Sequence, residues 1–283
     1  MRVACLQLNS QDDVDRNLVI VDRLLEEAAN QSTSLVVLPE MFPFMHPALQ
    51  HKEHFANKIA HQTVLPFLSA QARKHQLTIV GGSLLLTGKD QRLRNCCPVF
   101  SPEGNLIATY DKIHLFDSDL SDRRYRESEQ VTAGTAPQIV TAGEWRIGLS
   151  ICYDLRFPEL FRYYATEGVD LLTVPSAFAV PTGSAHWDIL LRARAIENQA
   201  YVLAPAQVGT HPGGRNTYGH SMIIDPWGIV VTQAQNHSMD GELIMADLSR
   251  ERLDMVRHQL PSLQHRRNAL FSVVTSNTGE QTS

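Results

Sequence analysis

Six short runs rich in Val, Ile and Leu punctuate this chain: RVACLQL, SLVVLPE, LTIVGGSLLL, RIGLSIC, VDLLTVP and AYVLAPAQ. Runs of that length and composition read as strands buried on both faces. Helical patterns lie between several of them. Leu18, Val21, Leu24, Leu25 and Ala28 recur at three- and four-residue steps, the spacing of one helix face. VLPFLSAQARKHQ and HWDILLRARAIENQ also read as helices. Strand, helix, strand repetition predicts an α/β fold. Two stretches depart from that rhythm. CCPVFSPEGNLIATYDKIHLF and YGHSMIIDPWGIVVTQAQ each hold two extended runs around a turn cluster, and each predicts an antiparallel hairpin. The sheets should therefore be mixed, with helices outside. No repeat or linker divides the chain, so one domain is expected over residues 1–270, followed by a polar tail over 271–283.

A chain of 283 residues can bury about 75% of its unfolded surface in one large core. Its formal net charge of −5 gives no global basic field for nucleic acid or an anionic membrane. No run of 18 or more apolar residues is present, so no membrane span is expected. The opening MRVACLQLNSQDDVD has too short an apolar run for a signal peptide. Four cysteines without a C-x-x-C pair, Cys96 and Cys97 being adjacent, suit free thiols in the reducing cytoplasm. His51 and His54 in HKEH lack the H-E-x-x-H spacing of a zinc site and read as a surface pair; no metal is expected.

Candidate chemistry sits where apolar runs end. Cys152 closes RIGLSIC and is followed by YDLRFPEL, with Pro158 in the first turn of an expected helix. It is either a small buried residue or a thiol at a crevice, where a nearby helix N-terminus would lower its pKa. Glu40 ends SLVVLPE, either capping the sheet edge or facing the crevice; there, desolvation would raise its pKa and suit it to proton transfer. Lys112 closes NLIATYDK, either snorkelling to water or supplying a fixed cation for a thiolate and an oxyanion. Glu127, in YRESE, is either a solvent-facing loop residue or a second acid. SDRRYRESE itself reads as a solvated loop or as the polar rim of a site.

LPEMF around Glu40, YDKIHLFD around Lys112 and ICYDLRFPEL around Cys152 resemble, in order and wide spacing, the three motifs of the nitrilase, or carbon–nitrogen hydrolase, superfamily. The resemblance runs from VACLQL to ELIMADL. It implies a four-layer αββα sandwich, usually paired as a homodimer, and a Glu–Lys–Cys triad carried onto Glu40, Lys112 and Cys152, with Glu127 as an added glutamate. The backbone N–H of Tyr153 would join Lys112 in holding the oxyanion. VPSAFAVPTGSAHWDILLRARAIENQAYVLAPAQVG and TYGHSMIIDPWGIVV are most similar to the deaminated glutathione amidases, and the omega-amidases share KIHLFD. The implied substrate is a small-molecule amide bearing carboxylates, with no organic cofactor. Arg156, Arg126 and Arg215 are candidates for a cationic lining and Phe178 for an apolar wall, although each also has an ordinary structural reading. A non-catalytic scaffold is the rival of another class.

Overall fold

Side-chain parity along the strands decides the layers. In the strand Arg2–Gln7, Val3 and Cys5 point one way and Ala4 and Leu6 the other. Val3, Cys5, Leu35, Val37 and Val99 share a core with Ile147, Leu149, Leu171 and Val202 of a second sheet. Ala4, Leu6, Val36 and Ile79 instead pack on Leu18, Val21, Leu25, Leu68 and Ala72 of flanking helices. Each apolar run is thus buried on both faces, one against the other sheet and one against helices. The second sheet is covered by Phe161 and Tyr164 of the helix Pro158–Thr166 and by Trp187 and Leu191 of the helix Val180–Asn198. The result is a four-layer αββα sandwich. This computed structural model describes residues 1–235 and 239–267, so the expected domain end at 270 and the tail 271–283 lie outside the described residues.

The first sheet runs Glu242–Asp247, Arg2–Gln7, Leu35–Val37, Thr78–Val80, Leu93–Phe100 and Leu84–Thr87, with Leu106–Asp111 also paired to Leu93–Phe100. The second runs Val230–Gln233, Met222–Ile224, Tyr201–Ala204, Leu171–Thr173, Trp145–Leu149 and Ile139–Ala142. Each has three adjacent parallel strands and antiparallel flanks, the expected mixture. Both expected hairpins form, Leu93–Phe100 with Leu106–Asp111 and Met222–Ile224 with Val230–Gln233. The helix Val14–Asn30 buries Leu18, Val21, Leu24, Leu25 and Ala28, and the Asp13 side chain caps it by accepting from Arg16 N at 3.0 Å.

Three expectations need correcting. LTIVGGSLLL is not one strand: it breaks into Thr78–Val80 and Leu84–Thr87 at Gly81–Gly82–Ser83. Gly82 has φ +57°, and a Cβ there would lie 2.1 Å from Pro39 O. That close approach needs glycine, and it seats the Pro39–Glu40 loop. Second, the helix containing VLPFLSAQARKHQ begins much earlier, as Leu49–His54, a π-helical segment Phe55–Val64, and Leu65–His75. Phe55, Ala60 and Val64 are buried at five- and four-residue steps, and the wider turn keeps them on one face. Third, SDRRYRESE is not an open loop. Arg124–Arg126 pairs with Asp117–Asp119 in a short hairpin.

Candidate active site

The Lys112 ammonium is the meeting point of three chain segments. It donates to Glu40 Oε1 at 2.9 Å and to Glu127 Oε2 at 2.8 Å. Asn95 Nδ2 lies between the same two carboxylates, 3.0 Å from Glu40 Oε1 and 3.1 Å from Glu127 Oε1. The other oxygen of Glu40 accepts from Ala177 N at 2.9 Å, and Glu127 Oε2 also accepts from Phe116 N at 2.7 Å. Cys152 completes the cluster, its thiol close enough to Glu40 and Lys112 for both charges to act on it. Glu40, Lys112 and Cys152 are 4%, 2% and 7% exposed, so this charge cluster is held almost wholly out of water. Each of the three follows the C-terminal end of a strand, Leu35–Val37, Leu106–Asp111 and Trp145–Leu149, and the two sheets bring those ends together.

Backbone elbows aim these groups. Cys152 has φ +49° and Met41, directly after Glu40, has φ +55°. Residues other than glycine rarely adopt this region, and it recurs where surrounding structure holds strain at a functional position. The Cys152 elbow is pinned by its own N–H, which donates to Pro175 O at 2.9 Å. The Met41 elbow is pinned by Ser83 Oγ, which accepts from Met41 N at 3.1 Å. Fully buried Asp154 holds the cysteine turn to the lysine segment. Its Oδ2 accepts from Ile151 N at 2.8 Å and from Tyr110 OH at 2.7 Å. Its Oδ1 accepts from His114 N at 3.0 Å and lies 2.7 Å from His114 Nδ1. Cys152 therefore opens a single 3-10 turn, Cys152–Arg156, and the α-helix starts only at Pro158.

The sequence profile of the family described as Carbon-nitrogen hydrolase matches residues 2–258. The chain belongs to the carbon–nitrogen hydrolase family. A deaminated glutathione amidase of Synechocystis sp. is 42% identical over 271 residues, 93% of this chain and 97% of that protein. An omega-amidase of Danio rerio is 38% identical over 273 residues, 96% of each. Among solved structures, the C. elegans NitFhit protein superposes with a TM-score of 0.85 at 38% identity, covering 95% of this chain and 65% of that longer one. This carbon–nitrogen hydrolase is thus an enzyme of amide bonds, and the electrostatics of its buried cluster can be read in that light.

Burial alone would raise the Glu40 pKa, as the sequence suggested. Lys112, Arg215 and the hydrogen bonds from Cys152 and Lys112 outweigh burial, so Glu40 stays ionised below the usual carboxylate range. Burial pulls Lys112 down, yet Glu127, Glu40 and Cys152 more than restore it, and it stays charged above the usual lysine range. The thiol behaves opposite to expectation. Burial first, and then the Glu40 carboxylate, push the Cys152 pKa up despite Lys112 and the Ala177 N–H. Charge sits on Glu40 and Lys112, and the sulfur keeps its proton until something draws it off.

Glu40, Lys112, Glu127 and Cys152 open onto a cavity of about 260 Å³. Met41, Met45, Phe116 and Tyr125 supply apolar wall, and Lys52, Arg123, Arg124, Arg126 and Arg215 supply positive charge. Two of the three arginines singled out from the sequence, Arg126 and Arg215, are therefore here. Arg126 is already committed, gripping both Asp119 oxygens at 2.8 and 2.7 Å. Tyr153, Arg156 and Phe178 are not among the lining residues. The Tyr153 ring packs on Phe116 at 5.0 Å, Phe178 packs on Trp187 at 4.8 Å, and the Arg156 guanidinium lies over Phe178 at 5.4 Å. Sequence reasoning missed Asn95, Asp154 and Lys52. The signals were a lone amide in the apolar strand LRNCCPVF, an acid two residues after the cysteine, and the lysine of HKEH, whose histidines are both exposed.

Proposed function

We propose that this carbon–nitrogen hydrolase is an amidase that hydrolyses deaminated glutathione, the amide of 2-oxoglutarate with cysteinylglycine, through a thioester on Cys152. Glu40 takes the thiol proton as sulfur attacks the amide carbonyl. The oxyanion faces Lys112 and the backbone N–H of Tyr153. Protonated Glu40 returns its proton to the departing amine, leaving 2-oxoglutarate bound to sulfur. Glu40 then draws a proton from water, which attacks the thioester. Collapse of the second tetrahedral adduct frees the acid and returns a proton to sulfur. Glu127 and Asn95 hold Lys112 and Glu40 in place through both steps. One oxyanion donor is typically worth about 100- to 1000-fold in rate, and general acid–base work about 100- to 10,000-fold.

One observation carries this reading: Lys112 bonds Glu40 at 2.9 Å, and buried Cys152 sits beside both, within reach of their charges, at the floor of a cavity. A scaffold would have no use for charges kept out of water beside a thiol, since each costs free energy to bury. The Synechocystis relative favours deaminated glutathione, and the Danio rerio relative gives an omega-amidase acting on 2-oxoglutaramate as the second reading. Steady-state kcat/KM on the two amides separates them, with deaminated glutathione expected to be the better substrate. The enzyme would work in the cytoplasm as a homodimer. The four free cysteines support the first of these. Exposed Ile189 and Ile196 on the helix Val180–Asn198 support the second.

A further inference from the structure

Two cations at the rim of the cavity have no counter-ion within 4.0 Å among the described residues. Lys52 stands on the short helix Leu49–His54, and Arg215 opens the strand Arg215–Tyr218. Both line the cavity that holds Cys152. Lys52 Nζ donates to Gln130 Oε1 at 2.8 Å, a neutral acceptor. Arg215 donates to Ala177 O at 2.7 Å, while its Nε is buried without a partner. Among the described residues, neither cation has a carboxylate oxygen within 4.0 Å. Arg126, on the same wall, shows the ordinary alternative, a guanidinium closed on an aspartate.

The two also oppose each other. Burial, and then the charge of Arg215, pull the Lys52 pKa below the usual lysine value, and Glu127 offsets this only in part. Glu127 and Glu40, the acids these cations feel at longer range, already share Lys112. Holding two like charges together and partly out of water costs free energy that an anion seated between them would recover. A single residue links the Arg215 guanidinium to the base, since Ala177 accepts from Arg215 through its oxygen and donates to Glu40 through its nitrogen. An anion on this pair therefore belongs to a short acyl group already seated on Cys152.

We propose that Lys52 and Arg215 form the subsite that binds a carboxylate on the acyl half of the substrate, and so select amides of dicarboxylic acids over neutral amides. The subsite rests on Cys152 as the acyl-transfer site but not on deaminated glutathione as the amide. The readout is a preference, the ratio of kcat/KM for succinamate to that for butyramide, which differ by a carboxylate in place of a methyl. Wild-type protein is expected to favour succinamate. Lys52→Met and Arg215→Met should each lower the ratio by about 10- to 100-fold, the worth of a charge-assisted hydrogen bond. A ratio that stays the same in both variants, or no preference in the wild type, overturns the subsite. So does a wild-type preference for N-butyrylglycine, whose carboxylate is on the amine side. If a methionine variant fails to fold by thermal melt, Lys52→Gln replaces it. If none of these amides turns over, calorimetry of succinate on Cys152→Ala protein decides. Binding should weaken at least about 10-fold when Lys52→Met is added, and no binding or no change rejects the proposal. Deaminated glutathione left intact alongside a Lys52-dependent preference for succinamate would reject the substrate and keep the subsite.

Discussion

The floor and the rim of one cavity are built on opposite principles. At the floor, Glu40, Lys112, Glu127 and Asn95 are bonded to one another within 3.1 Å, with Glu40, Lys112 and Asn95 buried, Glu127 half-buried and Asn95 Oδ1 left without a partner. At the rim, Lys52 and Arg215 have no carboxylate oxygen within 4.0 Å among the described residues, and Arg215 Nε is left without a partner. A network in which every charge is paired fixes geometry and protonation before substrate arrives, as general acid–base chemistry requires. An open pair of cations leaves interactions for the substrate to complete. The difference suggests that the floor sets how fast an amide is cleaved and the rim sets which amide is chosen.

Substitutions at the floor should therefore lower turnover of every amide alike. Cys152→Ala should cut kcat by about 10,000-fold or more on both deaminated glutathione and 2-oxoglutaramate. Its unfolding free energy should shift by no more than about 1 kcal/mol, since the side chain loses only a sulfur. Lys112→Met should cost about 100- to 1000-fold in kcat. It leaves the buried Glu40 and the half-buried Glu127 without their cation, so denaturant unfolding should also reveal a loss of about 3–5 kcal/mol. Asp154→Asn touches no reacting atom and acts through the Cys152 turn. The neutral side chain keeps the shape but weakens bonds from Ile151 N and Tyr110 OH, so about 1.5–3 kcal/mol of stability should go. The fall in kcat should be near tenfold with KM little changed, which a purely structural lesion would not produce.

The pH profile sharpens the contrast further. Glu40 titrates below the ordinary carboxylate range, so its contribution is present above that range and fades only as pH falls through its lowered pKa. Lys112 titrates above the ordinary lysine value, so its contribution is present below that value and is lost only as pH rises through its raised pKa. For a neutral amide, kcat/KM should be flat from about pH 6 to about pH 9. A bell centred near neutrality would mean that another group limits the chemistry. The smallest effect belongs to Phe178→Leu. Buried against Trp187 and away from the cavity lining, it should cost less than about 1.5 kcal/mol of stability and leave the ratio of rates on the two amides unchanged.

The mixed sheets with helices outside, and Glu40 as a candidate, were legible in the sequence for one physical reason; the four layers came from the family resemblance. A strand buried on both faces must be apolar throughout, so a charge ending such a run stands out, as Glu40 does after SLVVLP, whereas Lys112 ends a strand that is mostly exposed. Their convergence on Cys152 came only from three motifs in order, because periodicity carries no information on distances between positions as far apart in the chain as Glu40 and Cys152. The protonation states were legible only in part. Burial of Glu40 was foreseen, whereas the cation that reverses its effect lies 72 residues away. The rim was nearly silent. Lys52 and Arg215 come from a helix and a hairpin that only tertiary packing brings together, and HKEH drew attention to its exposed histidines instead. Arg156 was a candidate for a cationic lining and Phe178 for an apolar wall, but their side chains pair with each other and with Trp187.

Covalent acyl transfer at the floor is tested most directly by partition. Two amides that share the 2-oxoglutaryl group, deaminated glutathione and 2-oxoglutaramate, are turned over in the presence of hydroxylamine, and the ratio of hydroxamate to free acid is measured for each. A common thioester on Cys152 has lost its amine before the nucleophiles compete, so the two ratios should be identical. A ratio that depends on which amine departs would mean that water attacks the amide itself, and Cys152 would not be the nucleophile.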